Sequence, residues 1–423
     1  MSELRTQVGI VGAGPAGLLL SHLLHLRGIE SVVLETRSRE YVERRIRAGV
    51  LEQGTVDLLN DAGLGDRMRR EGLLHRGVNV RFAGCTHRID FVELTGRAIT
   101  VYGQHEVVKD LIAARLASGG PILFEVQDVS LSGLDTKSPR VALRDASGNR
   151  RDMVCDFVAG CDGFHGVSRA SIPDGWLTVF EREYPFAWLG ILAESTPLSE
   201  ELVYVNHERG FALFSMRSPT LSRLYLQCAP DEDFERWPDE RIWDELRRRL
   251  VGQDDLPPLQ EGPILQKGVT PMRGFVAAPM CYGRLFLAGD AAHIVPPTGA
   301  KGMNLAVADV AVLSRALGLF YEEQRTDGLE TYSETCLRRV WRVERFSGWM
   351  TNTLHRLPDH EPFDRQIQLA ELDYLVHSEA AQKSLAENYA GLPFAGDGRT
   401  YNSGAAEGEE NDGTGETNDD LSR

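Results

Sequence analysis

Three stretches of the chain have different patterns of hydrophobic and polar residues. The β-branched runs at residues 8–11 and 31–34 enclose an apolar helical pattern at 18–26, which predicts a β-α-β unit. Between residues 202 and 227, apolar and polar residues alternate, and this alternation predicts an antiparallel meander. Residues 305–394 have the helical period. The pattern predicts a mixed α/β protein with a sheet in the middle of the chain and a helical C-terminal region.

The loop inside the first β-α-β unit has the glycine pattern of dinucleotide-binding proteins. Gly12, Gly14 and Gly17 follow the first strand as G-x-G-x-x-G, and Glu35 follows the second strand. Such glycines allow a pyrophosphate to approach the backbone at the helix N-terminus, and the acidic side chain accepts hydrogen bonds from ribose hydroxyls. The motif favours a bound dinucleotide over a structural glycine turn, and it leaves the choice between FAD and NAD open.

A strand, a tight turn and a helix N-terminus follow one another again at residues 283–304. The strand ends at Asp290, whose ionised carboxylate can accept hydrogen bonds from a polyhydroxyl chain such as ribityl. The N–H groups at the start of the next helix favour negative charge. An aspartate that only caps the helix is the alternative. The loop rich in glycine and proline favours a flavin site, with the candidate residues Asp290, Gly299, Gly302 and Asn304.

A third candidate contact is the Asp162-Gly163 pair, which follows a predicted strand at residues 151–161. The arrangement repeats the one at Asp290, although an ordinary turn would contain the same residues. The chain has no second G-x-G-x-x-G. The sequence therefore predicts one dinucleotide-binding domain and not two.

The predicted meander contains arginines on its strands. Period 2 places Ser215 and Arg217 on one face of a strand, and Arg223 and Tyr225 on one face of the next strand. A guanidinium on the apolar side of a sheet needs an anion, because it keeps its charge and burial of an unpaired charge is costly. An arginine that faces solvent is the alternative that spacing alone favours.

The composition is that of an acidic enzyme with more than one domain. The chain has 423 residues, of which 42% are hydrophobic, and its net charge of −16 argues against nucleic acid as a partner. Residues 395–423 hold eight acidic residues and are predicted to be disordered. The six cysteines form no C-x-x-C pair, so we expect no metal and a cytoplasmic location. No apolar run reaches about 18 residues, so no membrane span is expected.

The three candidate flavin motifs occur together in one known family. Gly12–Gly17, Asp162-Gly163 and Gly289-Asp290 resemble the three flavin motifs of the single-component FAD-dependent aromatic hydroxylases. Longer runs that resemble this family lie at residues 45–54, 159–165 and 287–302, and the similarity covers about residues 5–394.

The resemblance implies a Rossmann-like FAD-binding domain, an inserted antiparallel-sheet substrate domain and a helical C-terminal region. It also implies a homodimer, for which the amphipathic run at residues 337–350 is a candidate contact helix. The expected divisions are an FAD-binding domain at 1–180 with part of the substrate region near 73–100, a substrate domain at 181–275, a return to the FAD domain at 276–320, a helical region at 321–394 and the acidic tail at 395–423.

The activity that the resemblance implies is an FAD-dependent monooxygenase reaction. NAD(P)H donates the electrons, O2 supplies the oxygen atom, and a small aromatic acid, 4-hydroxybenzoate, is hydroxylated at its 3-position. The alternatives are a related hydroxylase of another phenolic acid, an NAD-linked dehydrogenase, and a flavin-binding protein without hydroxylase turnover.

The resemblance also implies how the substrate binds. Ser215, Arg217 and Tyr225 match the positions that bind its carboxylate, and Arg217 can form two parallel hydrogen bonds with a planar carboxylate. The substrate is expected to bind with its carboxylate at this end of the meander.

At the phenol end, Tyr204, Tyr389 and His75 match a relay that removes the phenol proton, and the Pro297 carbonyl is expected near the phenol oxygen. The reaction needs such a relay because a phenolate has a more electron-rich ring than a phenol. At pH 7 a phenol of pKa near 10 is ionised to only about one part in a thousand.

The remaining implied contacts involve FAD and the nicotinamide coenzyme. Arg45, Arg47 and Gln104 match flavin contacts. Strictly NADPH-dependent relatives have Arg-Gln where this chain has Thr36-Arg37, so the guanidinium that binds the 2′-phosphate is displaced by one residue. We therefore expect both coenzymes to work, with NADH used at least as well as NADPH. The candidate coenzyme residues are Thr36, Arg37, Tyr41, Arg45, His165 and Arg273.

Overall fold

The computed structural model describes residues 4–45, 49–253 and 255–394, which form three β-sheets with helices packed around them. Arg47 and the tail at 395–423, for which we predicted a flavin contact and disorder, lie outside the described residues. The strands are β1 (Leu4–Val11), β2 (Ser31–Leu34), β3 (Val50–Leu51), β4 (Leu73–His75), β5 (Gly77–Phe82), β6 (Cys85–Asp90), β7 (Ile99–Val101), β8 (Ile122–Leu123), β9 (Gln127–Ser132), β10 (Arg140–Arg144), β11 (Arg150–Gly160), β12 (Thr178–Ala193), β13 (Val203–Val205), β14 (Ala212–Ser218), β15 (Leu221–Cys228), β16 (Ile264–Ala278), β17 (Cys281–Tyr282), β18 (Leu285–Leu287) and β19 (His293–Ile294).

The helices surround the first sheet and make up most of the C-terminal part of the described chain. They are α1 (Pro15–Leu26), α2 (Arg39–Arg44), α3 (Gln53–Asp61), α4 (Gly65–Glu71), α5 (Phe91–Thr95), α6 (Gln104–Ala117), α7 (Val167–Ala170), α8 (Asp239–Arg249), α9 (Gly302–Glu323), α10 (Asp327–Glu330), α11 (Tyr332–Leu354), α12 (Pro362–His377) and α13 (Glu379–Ala390).

The first sheet has a parallel centre in the order β18-β11-β1-β2-β8, with antiparallel strands added at β17 and at β10 and β9. All four residues of β2 are buried, as expected of a parallel strand that is covered on both faces. Helix α1 packs between α6 and α9. The carboxyl ends of β1, β11 and β18 lead directly into the three candidate flavin motifs, so one edge of this sheet brings the motifs together.

The second sheet has the order β19-β16-β12-β15-β14-β13-β5-β6, and its neighbours are antiparallel except for the β13 and β5 pair. Strands β13, β14 and β15 are the meander that the alternation predicted. Ser215 pairs with Arg223, and Leu213 pairs with Tyr225, so these residues share one face. The predicted mixed α/β fold is thus confirmed, whereas the domain boundaries stay a prediction.

Helix α9 is the single helix in the described part of the chain that is long and apolar enough to cross a membrane, which differs from our reading of the sequence. The most apolar stretch of α9 is 72% buried inside the protein, and the helix packs against α1 and α11. A helix that the rest of the fold covers in this way has the apolar surface that a core helix needs.

Candidate active site

The loop between β1 and α1 leaves open space at a helix N-terminus. Gly12 has φ of +104°, and a Cβ there would collide with the carbonyl of Cys161. Gly17 packs against the Gly12 carbonyl, whereas a Cβ on Gly14 would meet no atom within 4 Å. Gly14 is the N-cap of α1, and no side chain caps this helix. The first N–H groups of α1 are therefore available to an anion such as a pyrophosphate.

Two carboxylates stand beside this loop. Glu35 accepts hydrogen bonds from the Ala13 N–H at 2.9 Å and the Arg37 N–H at 2.8 Å, which fix its orientation at the end of β2. Asp162 accepts two bonds from Ser168 at 2.9 Å through Oδ2. Its Oδ1 is buried and has no hydrogen-bond partner among the described residues, and burial raises the pKa of this carboxyl. Asp162 Oδ1 can thus accept a bond from a ligand hydroxyl or N–H.

The loop that follows β18 ends in a second uncapped helix N-terminus. Asp290 is exposed in a 3-10 turn, while the Gly289 N–H donates to Asp309 at 2.9 Å. Helix α9 has no side-chain cap, and a Cβ on Gly302 would meet open space. Its first N–H groups therefore form a second site for negative charge.

The side chain of Asn304 is fully used within the protein. Its Oδ1 accepts bonds from the Glu52 N–H and the Thr55 hydroxyl, and its Nδ2 donates to the carbonyls of Val50 and Ala300, all at 2.8 to 3.0 Å. These bonds fasten α9 to the β3 region. A cofactor contact at Asn304 is therefore expected through its backbone N–H.

Arg45 and Gln104 are the other predicted flavin contacts that the structure describes. The Tyr102 N–H donates to the Gly49 carbonyl at 2.8 Å, so the backbone at Gly49 lies near the start of α6. Gln104 is the first residue of α6 and is half-buried, and Arg45 is exposed at the end of α2. Both positions remain predictions for flavin binding.

The guanidinium of Arg217 lies close to Tyr225 and Arg223 and has few partners. It donates to the Met216 carbonyl at 3.1 Å and makes a long contact of 3.4 Å with the Ser215 hydroxyl. Burial and the neighbouring Arg223 lower the pKa of Arg217, while Tyr225 opposes this change. Within the described residues no carboxylate pairs with Arg217 or Arg223. Two adjacent positive charges therefore lack an anion.

Arg223 is a site residue that the sequence reasoning placed on the right face without assigning it a role. Its Nε donates to the Tyr225 hydroxyl at 3.3 Å, and its guanidinium carbon lies 5.2 Å from the Tyr225 ring centroid. Its Nη1 is buried and has no partner within the described chain. The alternation that groups Arg223 with Tyr225 is the signal that could have identified it.

Two buried tyrosines meet on the opposite side of the meander, where Tyr204 of β13 pairs with Leu213, the residue that also pairs with Tyr225. The Tyr204 hydroxyl donates to the Thr298 carbonyl at 3.0 Å and shares a short hydrogen bond with the Tyr389 hydroxyl. Burial raises the pKa of both phenols. The Pro297 carbonyl accepts the Ala300 N–H at 2.9 Å, and its position near the substrate phenol oxygen stays a prediction. The pair can exchange a proton, but neither phenol ionises readily by itself.

A buried ion cluster next to Tyr389 was missed by the sequence reasoning. Lys301 donates to the Glu52 carboxylate and to the Tyr389 carbonyl, each at 2.8 Å, and Arg339 reaches the same carboxylate at 3.0 Å. Burial lowers the pKa of Lys301, and Glu52 opposes this shift. Two cations share one carboxylate, so the cluster favours negative charge at this end of the site. A lysine within an otherwise apolar loop was the available signal.

His75 is buried near the site without a hydrogen bond to either tyrosine. Both of its ring nitrogens have no partner among the described residues. Burial lowers the pKa of His75 to about 4, with Arg217 acting in the same direction and Glu201 against it. Its role at the solvent end of a relay stays a prediction.

The depressed pKa of His75 predicts a loss of stability in mild acid. The unfolded chain takes up a proton on His75 near pH 6.5, and the folded protein does so only near pH 4. Stability should fall as pH drops through this window, by about 1.4 kcal/mol per pH unit for this group. The melting temperature of His75→Gln should therefore fall less than that of the unmodified protein between pH 7 and pH 5. An equal fall in both proteins would contradict this assignment.

The predicted coenzyme residues form two groups. Thr36, Arg37 and Tyr41 are exposed after β2, and the Arg37 guanidinium lies 5.3 Å from the Tyr41 ring centroid. His165 and Arg273 both contact Phe164, at 4.9 Å between rings and 4.5 Å from guanidinium to ring. Exposed cations and aromatic rings of this kind suit a nucleotide that binds on the surface.

Two uncapped helix N-termini, the open positions at Gly14 and Gly302, and the unpaired Asp162 Oδ1 fit an FAD molecule along one edge of the first sheet. The class that this fold and site define is that of FAD-dependent oxidoreductases. Residues 5–347 match the family model described as FAD binding domain, and the chain belongs to this family.

Among curated proteins, the chain is 50% identical over 395 residues to p-hydroxybenzoate hydroxylase from Acinetobacter baylyi (strain ATCC 33305 / BD413 / ADP1), covering 93% of this chain and 97% of that protein. It is 24% identical to 3-(3-hydroxy-phenyl)propionate/3-hydroxycinnamic acid hydroxylase from Paraburkholderia xenovorans (strain LB400), and this match covers 77% of the chain but only 52% of that longer protein. The chain is thus a member of the FAD-dependent aromatic hydroxylases.

Solved structures confirm the fold. The crystal structure of p-nitrophenol 4-monooxygenase PnpA from Pseudomonas putida DLL-E4 matches with a TM-score of 0.78 at 20% identity, covering 92% of this chain and 98% of that chain. A ternary complex of aklavinone-11 hydroxylase with FAD and aklavinone matches with a TM-score of 0.68 at 22% identity, covering 84% and 70%. FAD is therefore the cofactor, with NAD(P)H as the electron donor that is usual in the family.

Proposed function

We propose that the protein hydroxylates 4-hydroxybenzoate at the 3-position to 3,4-dihydroxybenzoate, with consumption of O2 and NAD(P)H and release of water. The main support is the pair of neighbouring guanidiniums at Arg217 and Arg223, which have no carboxylate partner in the described chain and both lie close to Tyr225. A substrate carboxylate would supply the missing anion. The 50% identity to the Acinetobacter hydroxylase supports the same substrate.

The carboxylate end of the site would orient the substrate. Arg217 offers two parallel N–H donors to a planar carboxylate, and the hydroxyls of Ser215 and Tyr225 can complete the binding. Because the meander holds these three residues on neighbouring strands, the substrate ring would keep one orientation during the reaction. Bound FAD, after reduction by NAD(P)H, supplies with O2 the electrophilic oxygen that is transferred to the ring.

The phenol end of the site would ionise the substrate. The Tyr204 oxygen can accept the phenol proton once its own hydroxyl turns from the Thr298 carbonyl to Tyr389, and Tyr389 would pass its own proton on toward solvent, so that both tyrosines stay neutral. Lys301 and Arg339 share the Glu52 carboxylate behind Tyr389. Their positive charges would stabilise the negative charge of the substrate phenolate. The ring of the phenolate becomes electron-rich at the carbon ortho to the phenolate oxygen, which is the 3-position.

A screen of phenolic acids by oxygen uptake, with product identification, tests the proposal. The FAD-loaded protein should consume O2 and NAD(P)H fastest with 4-hydroxybenzoate and release 3,4-dihydroxybenzoate. A different preferred phenolic acid would identify a related hydroxylase. Failure of every phenolic acid to accelerate NAD(P)H oxidation would indicate a flavin-binding protein without this turnover.

The coenzyme preference is a further prediction. Because Thr36 takes the place of an arginine beside Glu35, NADH should be used at least as well as NADPH, while Arg37 and Arg273 leave some affinity for the 2′-phosphate. The measurement is the ratio of kcat/KM for the two coenzymes at fixed ionic strength, since salt screens exposed charges. A preference for NADPH above about a hundredfold, or roughly 2.7 kcal/mol, would contradict the prediction.

We propose that the enzyme is a homodimer and that α12 forms part of the subunit contact. The expected contact helix, residues 337–350, is part of α11, whose apolar face is largely buried within its own subunit. By contrast, Phe363, Ile367 and Tyr374 of α12 are 73%, 58% and 56% exposed, and their spacing places them on one helix face.

Replacing Phe363 and Ile367 together by arginine should convert the dimer to monomers, because two charges would be buried in an apolar contact. Light scattering after gel filtration would then give half the mass of the unmodified protein. Leu26→Arg is the matched control, since Leu26 is also exposed, at 56%, but lies on α1. Equal masses for the double variant and the control would contradict the proposed contact.

The proposed location is the cytoplasm. All six cysteines are free thiols, and none is paired in a disulfide. Free thiols are usual in a reducing compartment, where NAD(P)H is also available.

A further inference from the structure

His355 lies at the end of α11 with no exposed surface and is held by two partners that permit only one proton arrangement. Its Nε2 lies 2.6 Å from Trp188 Nε1, and its Nδ1 lies 2.9 Å from the Thr351 carbonyl. An indole N–H can only donate and a carbonyl can only accept. Nδ1 therefore carries the proton, and Nε2 accepts the hydrogen bond from Trp188.

Trp188, which His355 holds in place, packs against Tyr225 at the carboxylate end of the site. Its ring centroid lies 4.8 Å from that of Tyr225 and 5.2 Å from that of Phe211. Tyr225 in turn accepts a hydrogen bond from Arg223, and it acts to raise the pKa of Arg217. Because the indole is fixed in its own plane by the bond to His355, the Tyr225 ring against it has little freedom to tilt.

A second path leads from His355 to the phenol end. Thr351, whose carbonyl binds the His355 ring, has its hydroxyl 2.8 Å from the Thr298 hydroxyl. The Thr298 carbonyl accepts the hydrogen bond from Tyr204. The Phe211 ring stacks on His355 at 4.1 Å and lies 6.2 Å from the Tyr204 ring. One histidine is thus in contact with groups that lead to both ends of the site.

We infer that His355 is a positioning residue that sets the separation of Tyr225 and Tyr204, through Trp188 on one side and Thr351 with Thr298 on the other. The inference rests on the proposed function, because it assigns the two tyrosines to the two ends of one aromatic acid. His355 makes no direct contact with either tyrosine hydroxyl. Its effect is on the length and orientation of substrate that the site holds in a reactive position.

The chemistry of the imidazole explains why this position has a histidine. A phenylalanine would fill the same stack between Phe186 and Phe211 but would leave the Trp188 N–H buried without an acceptor. Burial lowers the pKa of His355 to about 3, so the ring stays neutral and keeps its acceptor over the physiological pH range. The hydrogen bond from Trp188 to His355 is therefore kept across this pH range.

Two variants separate positioning from a purely structural role. Trp188→Phe keeps an aromatic ring but removes the donor, and it should weaken substrate binding and lower the product formed per NAD(P)H by about tenfold each. The double variant Trp188→Phe with His355→Phe leaves neither indole N–H nor imidazole acceptor unpaired. Its melting temperature should recover toward that of the unmodified protein, while product per NAD(P)H stays low.

Trp237→Phe is the matched control, because Trp237 is equally buried, its indole nitrogen has no partner within the described chain, and it packs in a different apolar cluster. It should leave product per NAD(P)H unchanged. Recovery of both stability and product yield in the double variant would show that the pair is only structural and would overturn the inference. So would a yield within twofold of the unmodified enzyme for Trp188→Phe alone.

The unmodified FAD-loaded enzyme is assayed first with 4-hydroxybenzoate, and all variants are then compared with the phenolic acid that it converts best. Failure of 4-hydroxybenzoate in the unmodified enzyme would refute the proposed substrate alone. The ratios of variants to unmodified enzyme test the positioning role whichever phenolic acid is used.

Discussion

Arg217→Lys should weaken the binding of 4-hydroxybenzoate by about 10- to 100-fold while FAD stays bound. Lysine keeps the positive charge but cannot present two parallel N–H groups to a carboxylate, so the loss reports the bidentate geometry and not the charge. The dissociation constant measured by calorimetry on the FAD-loaded protein is the direct observable. A value unchanged within twofold would remove Arg217 from the carboxylate site.

Arg209→Lys is a suitable control for this experiment. Arg209 lies in the loop between β13 and β14 of the same meander, is exposed, and is paired with Glu245 on α8. Its replacement makes the same chemical change outside the site and should leave substrate affinity and FAD content unchanged. A similar loss in both variants would indicate a general effect on the sheet.

Two buried arginines elsewhere in the protein show why the half-buried Arg217 is unusual. Arg81 pairs with Asp255 and also binds backbone carbonyls. Arg115 has no second guanidinium beside it among the described residues and donates to the Ser31 carbonyl at 2.6 Å. Arg217 differs from both because a second guanidinium, Arg223, lies beside it. Two adjacent cations of this kind are stabilised far more by an anionic ligand than by another carbonyl.

The parts of the site that sequence could predict are those fixed by local geometry. The glycine pattern from Gly12 to Gly17 and the acid at Glu35 lie within one β-α-β unit, so spacing along the chain determines their position in space. The period of 2 likewise grouped Arg223 with Tyr225 on one face of their strand, and the pairing of Leu213 with Tyr225 shows which face of the neighbouring strand they share. In these cases the spacing of residues that are close in the chain is enough to predict their relative positions.

The contacts that sequence did not predict join residues that are far apart in the chain. Lys301 and Glu52 are separated by 249 positions, and Trp188 and His355 by 167. No periodic pattern specifies such a pair, because the packing of several elements decides it. Asn304 is a related case, since the groups at Glu52 and Thr55 that occupy its side chain become neighbours only after folding.

The geometry around Tyr204 determines what its hydroxyl can do. It is within hydrogen-bonding distance of one carbonyl, that of Thr298, and one hydroxyl, that of Tyr389. A carbonyl cannot accept a proton at neutral pH, so a proton that reaches Tyr204 has Tyr389 as its route onward. Burial raises the pKa of both tyrosines, and the cluster of Lys301 and Arg339 favours negative charge nearby. The arrangement supports transfer of a proton through the pair, in which each tyrosine gains one proton as it passes one on and neither is left as a tyrosinate.

Tyr204→Phe should therefore separate NAD(P)H oxidation from hydroxylation. Arg217 still binds the substrate carboxylate and NAD(P)H is still oxidised, but the bound phenol would be ionised to only about one part in a thousand at pH 7. The product formed per NAD(P)H should fall at least about tenfold, with hydrogen peroxide released in its place. Chromatography of 3,4-dihydroxybenzoate and the O2 returned by catalase measure the two outcomes.

Tyr321→Phe is the control variant. It removes a hydroxyl bonded to Asp156 at 3.1 Å near the first sheet, and it should keep the normal yield. An equal yield in Tyr204→Phe and Tyr321→Phe would show that the Tyr204 hydroxyl takes no part in ionising the substrate.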